Sequence, residues 1–363
     1  MKFRCERDVL VEAFGTAARA VASRAALPVL SGVRLALHGD ELRLAGSDLD
    51  LTIEVDVAVA GAGDGIAVVP AKLGADILRS LEPGAVTITI ENDQAQINAG
   101  RSSFSLRTMA ADEFPRLPDP PPGGVTISAA ELSEAVKQVI PSASHDDARP
   151  ILTGVLMAAE AGGLRLVATD SYRLAVRDLP GTTVLQEGQA VLVPSRALAE
   201  VARVLGANGD VTLHLGEREA AFVVGGTKIT TRLIEGQYPP YRNLIPPQLP
   251  NKLSVNRSAF LDALRRVRLL AKDATPVRLK MSAESFELVA ITQDVGQANE
   301  DVEAGYEGTE MTVAFNPEFL IAGVDSAEGE IVTLETIDNL KPALIRSTEK
   351  KDYLYLLMPV RVS

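Results

Sequence analysis

A strand-like apolar run that ends in proline and opens a helix occurs three times along the chain. It stands at Ala67-Val68-Val69-Pro70-Ala71-Lys72, again at Val191-Leu192-Val193-Pro194-Ser195-Arg196, and in weaker form at Thr312-Val313-Ala314-Phe315-Asn316-Pro317. The prolines are 124 and 123 residues apart. Upstream of each lies an apolar run closing on an aspartate, Asp48, Asp170 and Asp294, and these are 122 and 124 residues apart. Each copy also begins with apolar residues at spacings of three and four: Leu10, Phe14, Ala17 and Val21; Leu132, Val136 and Val139; Phe260, Leu264, Val267 and Leu270. Such spacings make one face of a helix. Three motifs in one order at one offset describe a chain built from three copies of one unit.

The 363 residues are more than one ordinary core accommodates. Two proline-rich stretches, Arg116 to Gly124 and Ile245 to Asn251, stop regular structure and mark boundaries. The expected domains are 1–124, 125–250 and 251–363. Within a copy, β-branched runs such as Val86–Ile90, Val211–Leu215 and Ile331–Glu335 are bounded by turn signals such as Glu91-Asn92-Asp93. Many strands and two helices per copy point to an α+β fold, three repeats each with two helices packed on antiparallel sheet.

Composition narrows the function. No apolar run reaches 18 residues, and Met1-Lys2-Phe3-Arg4 does not open a signal peptide, so a soluble, cytoplasmic protein is expected. The single Cys5 fits a reducing compartment. Asn256-Arg257-Ser258 reads as an accidental sequon. Catalytic constellations are thin. His38, His145 and His214 have no metal-ligand spacing, and neither a metal nor a cofactor is expected. His214, between Leu213 and Leu215, is read as solvent-facing on a strand. Gly225-Gly226-Thr227-Lys228 lacks the spacing of a phosphate loop and reads as a hairpin turn. The repeated aspartates read as turn caps rather than catalytic acids.

The formal net charge is −12. Per copy it divides as −5, −2 and −5, so any nucleic-acid surface must arise by sorting charge between faces. Lys72 and Arg79 share a helical face in the first copy, and Arg196 and Arg203 recur 124 residues later. In the third copy those positions read as near Phe319 and Ser326, while Arg265, Arg268 and Lys272, beside Arg266, fall on its opening helix. One such stripe is often just a solvated face; recurrence in register favours a surface for a phosphate backbone. With no tryptophan and 4% aromatic content, duplex fits better than single strand. Self-association has its own signs. Arg101 and Arg107 flank a strand bearing Phe104 and Leu106, and Asp294, Glu300, Asp301 and Glu303 form an acidic segment. Two chains joined head to tail through these would close into a ring; an ordinary edge strand and acidic loop is the other reading. A metabolite-binding enzyme and a pure protein scaffold are the competing functional readings; the first is disfavoured by the absence of a nucleophile, metal or cofactor motif.

Several stretches bring a known family into view: Leu27-Pro28-Val29-Leu30, Asp112-Glu113-Phe114-Pro115, Thr169-Asp170-Ser171-Tyr172-Arg173-Leu174 and Met358-Pro359-Val360-Arg361. Over essentially its whole length the chain resembles the bacterial sliding clamp, the β subunit of DNA polymerase III. The resemblance implies a head-to-tail homodimeric ring of six similar domains around double-stranded DNA, without catalytic chemistry. It also implies opening by a clamp loader and recruitment of the polymerase III catalytic subunit and other clamp-motif peptides. The family's DNA contacts match Arg24, Lys72, Arg79 and Arg196, together with the loop from His145 through Arg149 to Ile151. Its peptide pocket maps onto Leu152, Thr169, Ser171, Tyr172, Arg173, Leu174, Pro239, Asn243, Leu244, Phe319, Pro342, Leu356, Leu357, Met358, Pro359, Val360 and Arg361. The dimer joint maps onto Phe104 and Leu106 against Leu269 and Leu270, with Arg101 and Arg107 near the acidic segment.

Overall fold

The computed structural model describes residues 1–22, 27–160, 162–206, 209–271 and 275–361. Six α-helices occur among them, two per repeat: α1 (Arg7–Ala18), α2 (Ala71–Ser80), α3 (Ala129–Val139), α4 (Ser195–Val204), α5 (Arg257–Val267) and α6 (Pro317–Ser326). Every strand pairing is antiparallel, as the α+β reading requires. The expected helix faces are buried: Leu10, Phe14 and Ala17 on α1, Leu132, Val136 and Val139 on α3, and Phe260, Leu264 and Val267 on α5. Val21 lies beyond the end of α1, and Leu270 falls in a 3-10 turn after α5.

The chain forms two compact units, Met1–Ser133 with Arg196–Leu233, and Glu134–Ser195 with Ile234–Ser363. The middle repeat is therefore shared between them. In the first unit an eight-stranded sheet takes Leu51–Ala58, Glu41–Ser47, Gly32–His38 and Gly65–Pro70 from the first repeat. It takes Val125–Ser128, Asp210–Leu215, Glu219–Val224 and Thr227–Arg232 from the second. In the second unit a nine-stranded sheet joins the other strands of the middle repeat to those of the third, through Arg173–Pro180 and Tyr353–Leu357. A five-stranded sheet ending at Ser102–Arg107 completes the first unit, and a four-stranded sheet ending at Gly296–Asp301 completes the second.

Local chemistry explains the turns. Asn92 and Asp93 both have positive φ, the two-residue turn whose twist matches flanking strands. Gly225 takes φ +55 in the hairpin between Glu219–Val224 and Thr227–Arg232, as the glycine pair predicts. The Asp48 carboxylate accepts from the backbone N–H groups of Asp50 and Leu51, and Asp170 accepts from those of Tyr172 and Arg173. Both are turn caps, followed by Leu49 and Ser171 at φ +81. In the third copy Asp294 is itself the left-handed residue, at φ +61, so Gln293 stands where the other copies have aspartate. His214 is not free in solvent. The proline-rich segment folds over it, Nδ1 lies 2.7 Å from the Pro121 carbonyl oxygen, and Lys228 reaches the Pro118 carbonyl oxygen.

In the first repeat a helix and a strand cross tightly backbone to backbone. A Cβ on Gly46 would lie 2.1 Å from the Ala17 carbonyl oxygen, so α1 rests directly on the strand Glu41–Ser47. Gly46→Ala is expected to force the helix off its sheet and destabilise the first unit by about 2 kcal/mol or more. Urea unfolding followed by far-ultraviolet circular dichroism measures this; an unchanged midpoint would show that the crossing can relax.

Candidate nucleic-acid and peptide interfaces

The third repeat's register differs by one residue from the sequence reading. Helices α2, α4 and α6 each span ten residues. Pro70 is the N-cap of α2, and Pro194 immediately precedes α4, but in the third copy Asn316 caps the helix and Pro317 is its first residue. Asparagine suits the cap, and proline suits the first helical position. The residues equivalent to Lys72 and Arg79, and to Arg196 and Arg203, are therefore Glu318 and Asp325, not Phe319 and Ser326.

This shift reverses the charge of the third stripe. Glu318 is paired by Arg268; Asp325 accepts from Arg257 at 3.3 Å and lies 3.7 Å from Arg265. Arg265 also meets Asp262 at 3.5 Å. Of the cations expected to compensate on the opening helix, Arg265 and Arg268 thus neutralise carboxylates of the same repeat, and Arg268 stands in the 3-10 turn after α5. The first two stripes differ. Lys72 is exposed and has no ion pair among the described residues. Arg79 and Arg203 are exposed, with Asp76 at 3.2 Å and Glu200 at 3.9 Å. Arg196 is anchored by Asp48 at 2.5 Å, on the carboxylate oxygen that the turn leaves unused. Exposed pairs of this kind contribute about 0–1 kcal/mol and exchange readily for a phosphate. Arg24 and Lys272 lie outside the described residues.

In the second unit the mapped peptide positions separate into floor and rim. Leu152, Thr169, Leu174, Leu356 and Leu357 are buried; Leu174 and Leu356 share a cluster with Val167, Val176, Tyr241 and Leu344. Tyr172, Ser171, Pro239, Asn243, Leu244, Met358, Val360 and Arg361 are exposed around it, with Pro342, Pro359 and Phe319 half-buried. Leu174 is therefore a supporting residue, while Leu244 and Met358 offer surface. Backbone bonds lace the rim: Met358 N–H donates to the Tyr172 carbonyl, and Val360 N–H to that of Ala314. The Thr169 hydroxyl donates to the Arg173 carbonyl.

Arg173 is a brace. Its Nε donates to Asp170 at 2.9 Å, and its guanidinium lies 4.1 Å from the centre of the Phe319 ring. The Tyr355 hydroxyl donates to the Phe319 carbonyl beneath it. A partly desolvated stack of this kind contributes about 1–2 kcal/mol. Arg149, matched to DNA contact, donates to Asp146 at 2.9 Å and to the Ser171 hydroxyl at 3.3 Å, while His145 is exposed beside it. The Ala148 N–H, then Arg149, hold the Asp146 carboxyl below its ordinary pKa. The loop thus touches the peptide rim.

Two strand joints between repeats share one register. Thr227–Arg232 meets Leu51–Ala58 with Thr227 opposite Val55 and Thr231 opposite Leu51. Tyr353–Leu357 meets Arg173–Pro180 with Tyr353 opposite Arg177 and Leu357 opposite Arg173. In each joint the last strand of one repeat pairs with the fourth strand of the repeat before it. Flanking bonds match too: Arg232 N–H to Asp50 and Met358 N–H to Tyr172, then Asp56 N–H to Gly226 and Asp178 N–H to Asp352. The strands in the equivalent positions that find no such partner among the described residues are Ser102–Arg107 and Gly296–Asp301; each is an edge strand. Phe104 is 37% exposed on the first edge and Leu106 only 7%, so Leu106 belongs chiefly to its own core. Arg101 and Arg107 are exposed there. Near the second edge Leu269 is 73% exposed and Leu270 half-buried, with Asp301 and Glu303 exposed. Glu300 is bound by Arg266 of its own chain through two bonds of 2.7 and 3.0 Å.

Three successive family models cover the chain: the N-terminal domain of the DNA polymerase III beta subunit over residues 1–118, its central domain over 126–240 and its C-terminal domain over 242–361. The beta sliding clamp of Streptomyces coelicolor is 36% identical over the full length of both chains. That of Bacillus subtilis is 30% identical over 99% of this chain and all of its own. Among solved structures, the sliding clamp from Bacillus subtilis superposes with a TM-score of 0.93 at 29% identity, each chain wholly covered. A Pseudomonas aeruginosa sliding clamp bound to griselimycin gives the same TM-score, identity and coverage. The fold and these matches together define a non-catalytic clamp subunit made of three repeated domains. The chain belongs to the DNA polymerase III beta subunit family, the sliding clamps that act as processivity subunits of that polymerase.

Four tyrosines pack into the second unit. Burial pushes the phenols of Tyr238, Tyr241, Tyr353 and Tyr355 above their ordinary range, because the phenolate loses its hydration. Unfolded phenols ionise near pH 10. The stability these groups contribute is complete below that pH and is lost as pH rises toward their folded values. The second unit is expected to hold its urea midpoint from pH 8 to about 9.5 and lose it steeply above pH 10, with phenolate absorbance appearing as it unfolds. Phenolate forming on these four tyrosines in the folded protein near pH 10 would contradict the assignment.

Proposed function

We propose that two copies of this chain close head to tail into a ring around duplex DNA and carry DNA polymerase III along it. The observation that supports this most directly is the strand arithmetic. Two of three equivalent joints close within the chain, and the third leaves one edge strand on each unit. A second copy satisfies both edges at once, and the repetition of the head-to-tail contact closes the assembly. The bacterial cytoplasm, where the chromosome lies, is the expected location, and no helix among the described residues is long and apolar enough to cross a membrane.

The internal joints also specify the third joint's register. Transposed, they set Ser102 opposite Glu300, Phe104 opposite Ala298 and Leu106 opposite Gly296, with Arg101 at Asp301. Glycine and alanine then receive the two large side chains, and Leu270, 3.9 Å from a Cβ placed on Gly296, meets Leu106. Phe104→Cys with Ala298→Cys is expected to crosslink dimers on oxidation, since directly opposed residues have neighbouring Cβ atoms. Ser105→Cys with Ala298→Cys should not, because it faces the other side. Crosslinking of the second pair alone would show a slipped register.

An acidic protein that holds DNA must do so by enclosure more than by affinity. Lys72, Arg79, Arg196 and Arg203 supply the phosphate-facing charge, while the third repeat's stripe is neutralised from within. A few weak contacts let the ring slide. The groove of the second unit recruits the clamp loader, the polymerase catalytic subunit and other partners through short peptides, with Leu244, Met358 and Tyr172 as the apolar contacts.

The decisive test is loader-dependent retention on nicked circular DNA and release on linearisation; equal retention on both forms would sink the ring model. Alanine at Lys72, Arg79, Arg196 and Arg203 together should weaken loading and lower the salt slope of DNA binding by about 3–4. Arg265→Ala with Arg268→Ala should change that slope by less than about 1. Equal losses from the two sets would contradict the charge assignment.

A further inference from the structure

A groove of about 660 Å³ runs across the outer face of the first unit's large sheet, away from the residues matched to DNA, peptide or dimer contact. Its floor is Arg34, Ala36 and His38 with Glu41 and Arg43 of the next strand. Its wall is the segment Ala111–Leu117, where Phe114 packs on Val68 and Leu30. Cavities of this size suit a small ligand or a few peptide residues.

The cations of this face do not have equal partners. Arg43 is held by Asp56 through bonds of 2.6 and 2.8 Å, and Lys228 by the buried Glu54 at 2.7 Å. Arg116 pairs with Asp119, and His38 with Asp64. Arg34 is half-buried and has no hydrogen bond or ion pair among the described residues. Desolvation, its largest influence, pulls its pKa below the ordinary arginine value. A half-desolvated guanidinium that makes no hydrogen bond, with only the through-space charge of Glu54 in its favour, offers two parallel N–H donors to a carboxylate.

Two further features describe the rest of the ligand. Ile66 is 55% exposed at the groove's edge, beside the apolar wall of Phe114 and Leu117. It also lies on an edge strand, Gly65–Pro70, which pairs only with Gly32–His38 apart from one bridge between Val68 and Met109. That bridge uses the Val68 carbonyl. Backbone groups two residues along an edge strand point the same way, so those of Ile66 also face outward.

We infer that this groove binds an extended acidic peptide. The peptide meets the edge at Ile66, places an aliphatic side chain against Ile66 and Phe114, and, leaving the edge short of the Met109 bridge, crosses the sheet face to set a carboxylate on Arg34. Strand addition supplies the backbone bonds, and the alternating side chains supply the selectivity. The site lies in the first unit, and the mapped peptide positions lie in the second.

The probe is a fluorescently labelled Ac-Thr-Leu-Thr-Glu-Thr-Leu-Thr-NH2, titrated into the full-length protein and followed by anisotropy. Saturable binding is expected, weakened about tenfold when Gln replaces the Glu and about tenfold by Arg34→Gln. Ile66→Asp, on an exposed side chain, should weaken it at least as much and leave the circular dichroism unchanged. A peptide ligand of the second unit's groove should not displace the probe. Absence of saturable binding, equal affinity of Ile66→Asp, or displacement by that peptide or by duplex DNA would each overturn the proposal.

Discussion

The strand-to-strand joint between repeats is the interaction on which the rest depends. A repeat with an open sheet edge is exposed to uncontrolled pairing. Here the edge of one repeat is the partner of the next. Backbone bonds supply generic attachment, and the alternation of buried and exposed side chains fixes the register, because a slip of one residue would turn every side chain to the wrong face. The middle repeat spends both of its edges in this way, which is why its strands belong to two different compact units. Its identity lies in sequence and topology, because its strands are divided between two sheets.

On that uniform frame the copies have diverged in charge. The loop aspartate that caps a turn in the first repeat also anchors Arg196; its counterpart in the second repeat anchors Arg173 beside the peptide groove. In the third repeat that position is Gln293, and the helix that follows carries carboxylates where the others carry cations. One backbone geometry thus supports three local electrostatic outcomes, each set by one or two side chains. The total charge of −12 conceals this sorting completely.

Much of the fold was legible because its signals are local. The apolar spacings at Leu10, Leu132 and Phe260, the glycine pair at the 225–226 hairpin and the capping role of Asp48 and Asp170 depend on neighbours within a turn or two. The missed features depend on distant residues. Nothing near His214 announces that Pro121 will cover it. Nothing near Arg265 or Arg268 announces carboxylates on α6. The third repeat misled for a different reason. Its proline moved from the cap into the first turn, where it is equally welcome, and a match on proline carried the whole alignment one residue too far. For the groove of the second unit, membership of a family pointed to the neighbourhood, while the division between supporting and contacting residues needed burial. Leu174 and Leu244 look alike in sequence and differ wholly in exposure.

Arg173 has a consequence for traffic among partners. Its guanidinium is committed to Asp170 and Phe319 before any peptide arrives, and Tyr355 holds Phe319 from behind. A groove braced in this way needs little reordering on binding, so the entropic cost falls on the visiting peptide. Successive visitors then meet the same rigid surface. If the proposed groove serves several partners, abundance and residence time decide which of them occupies it, with no change of shape required of the groove.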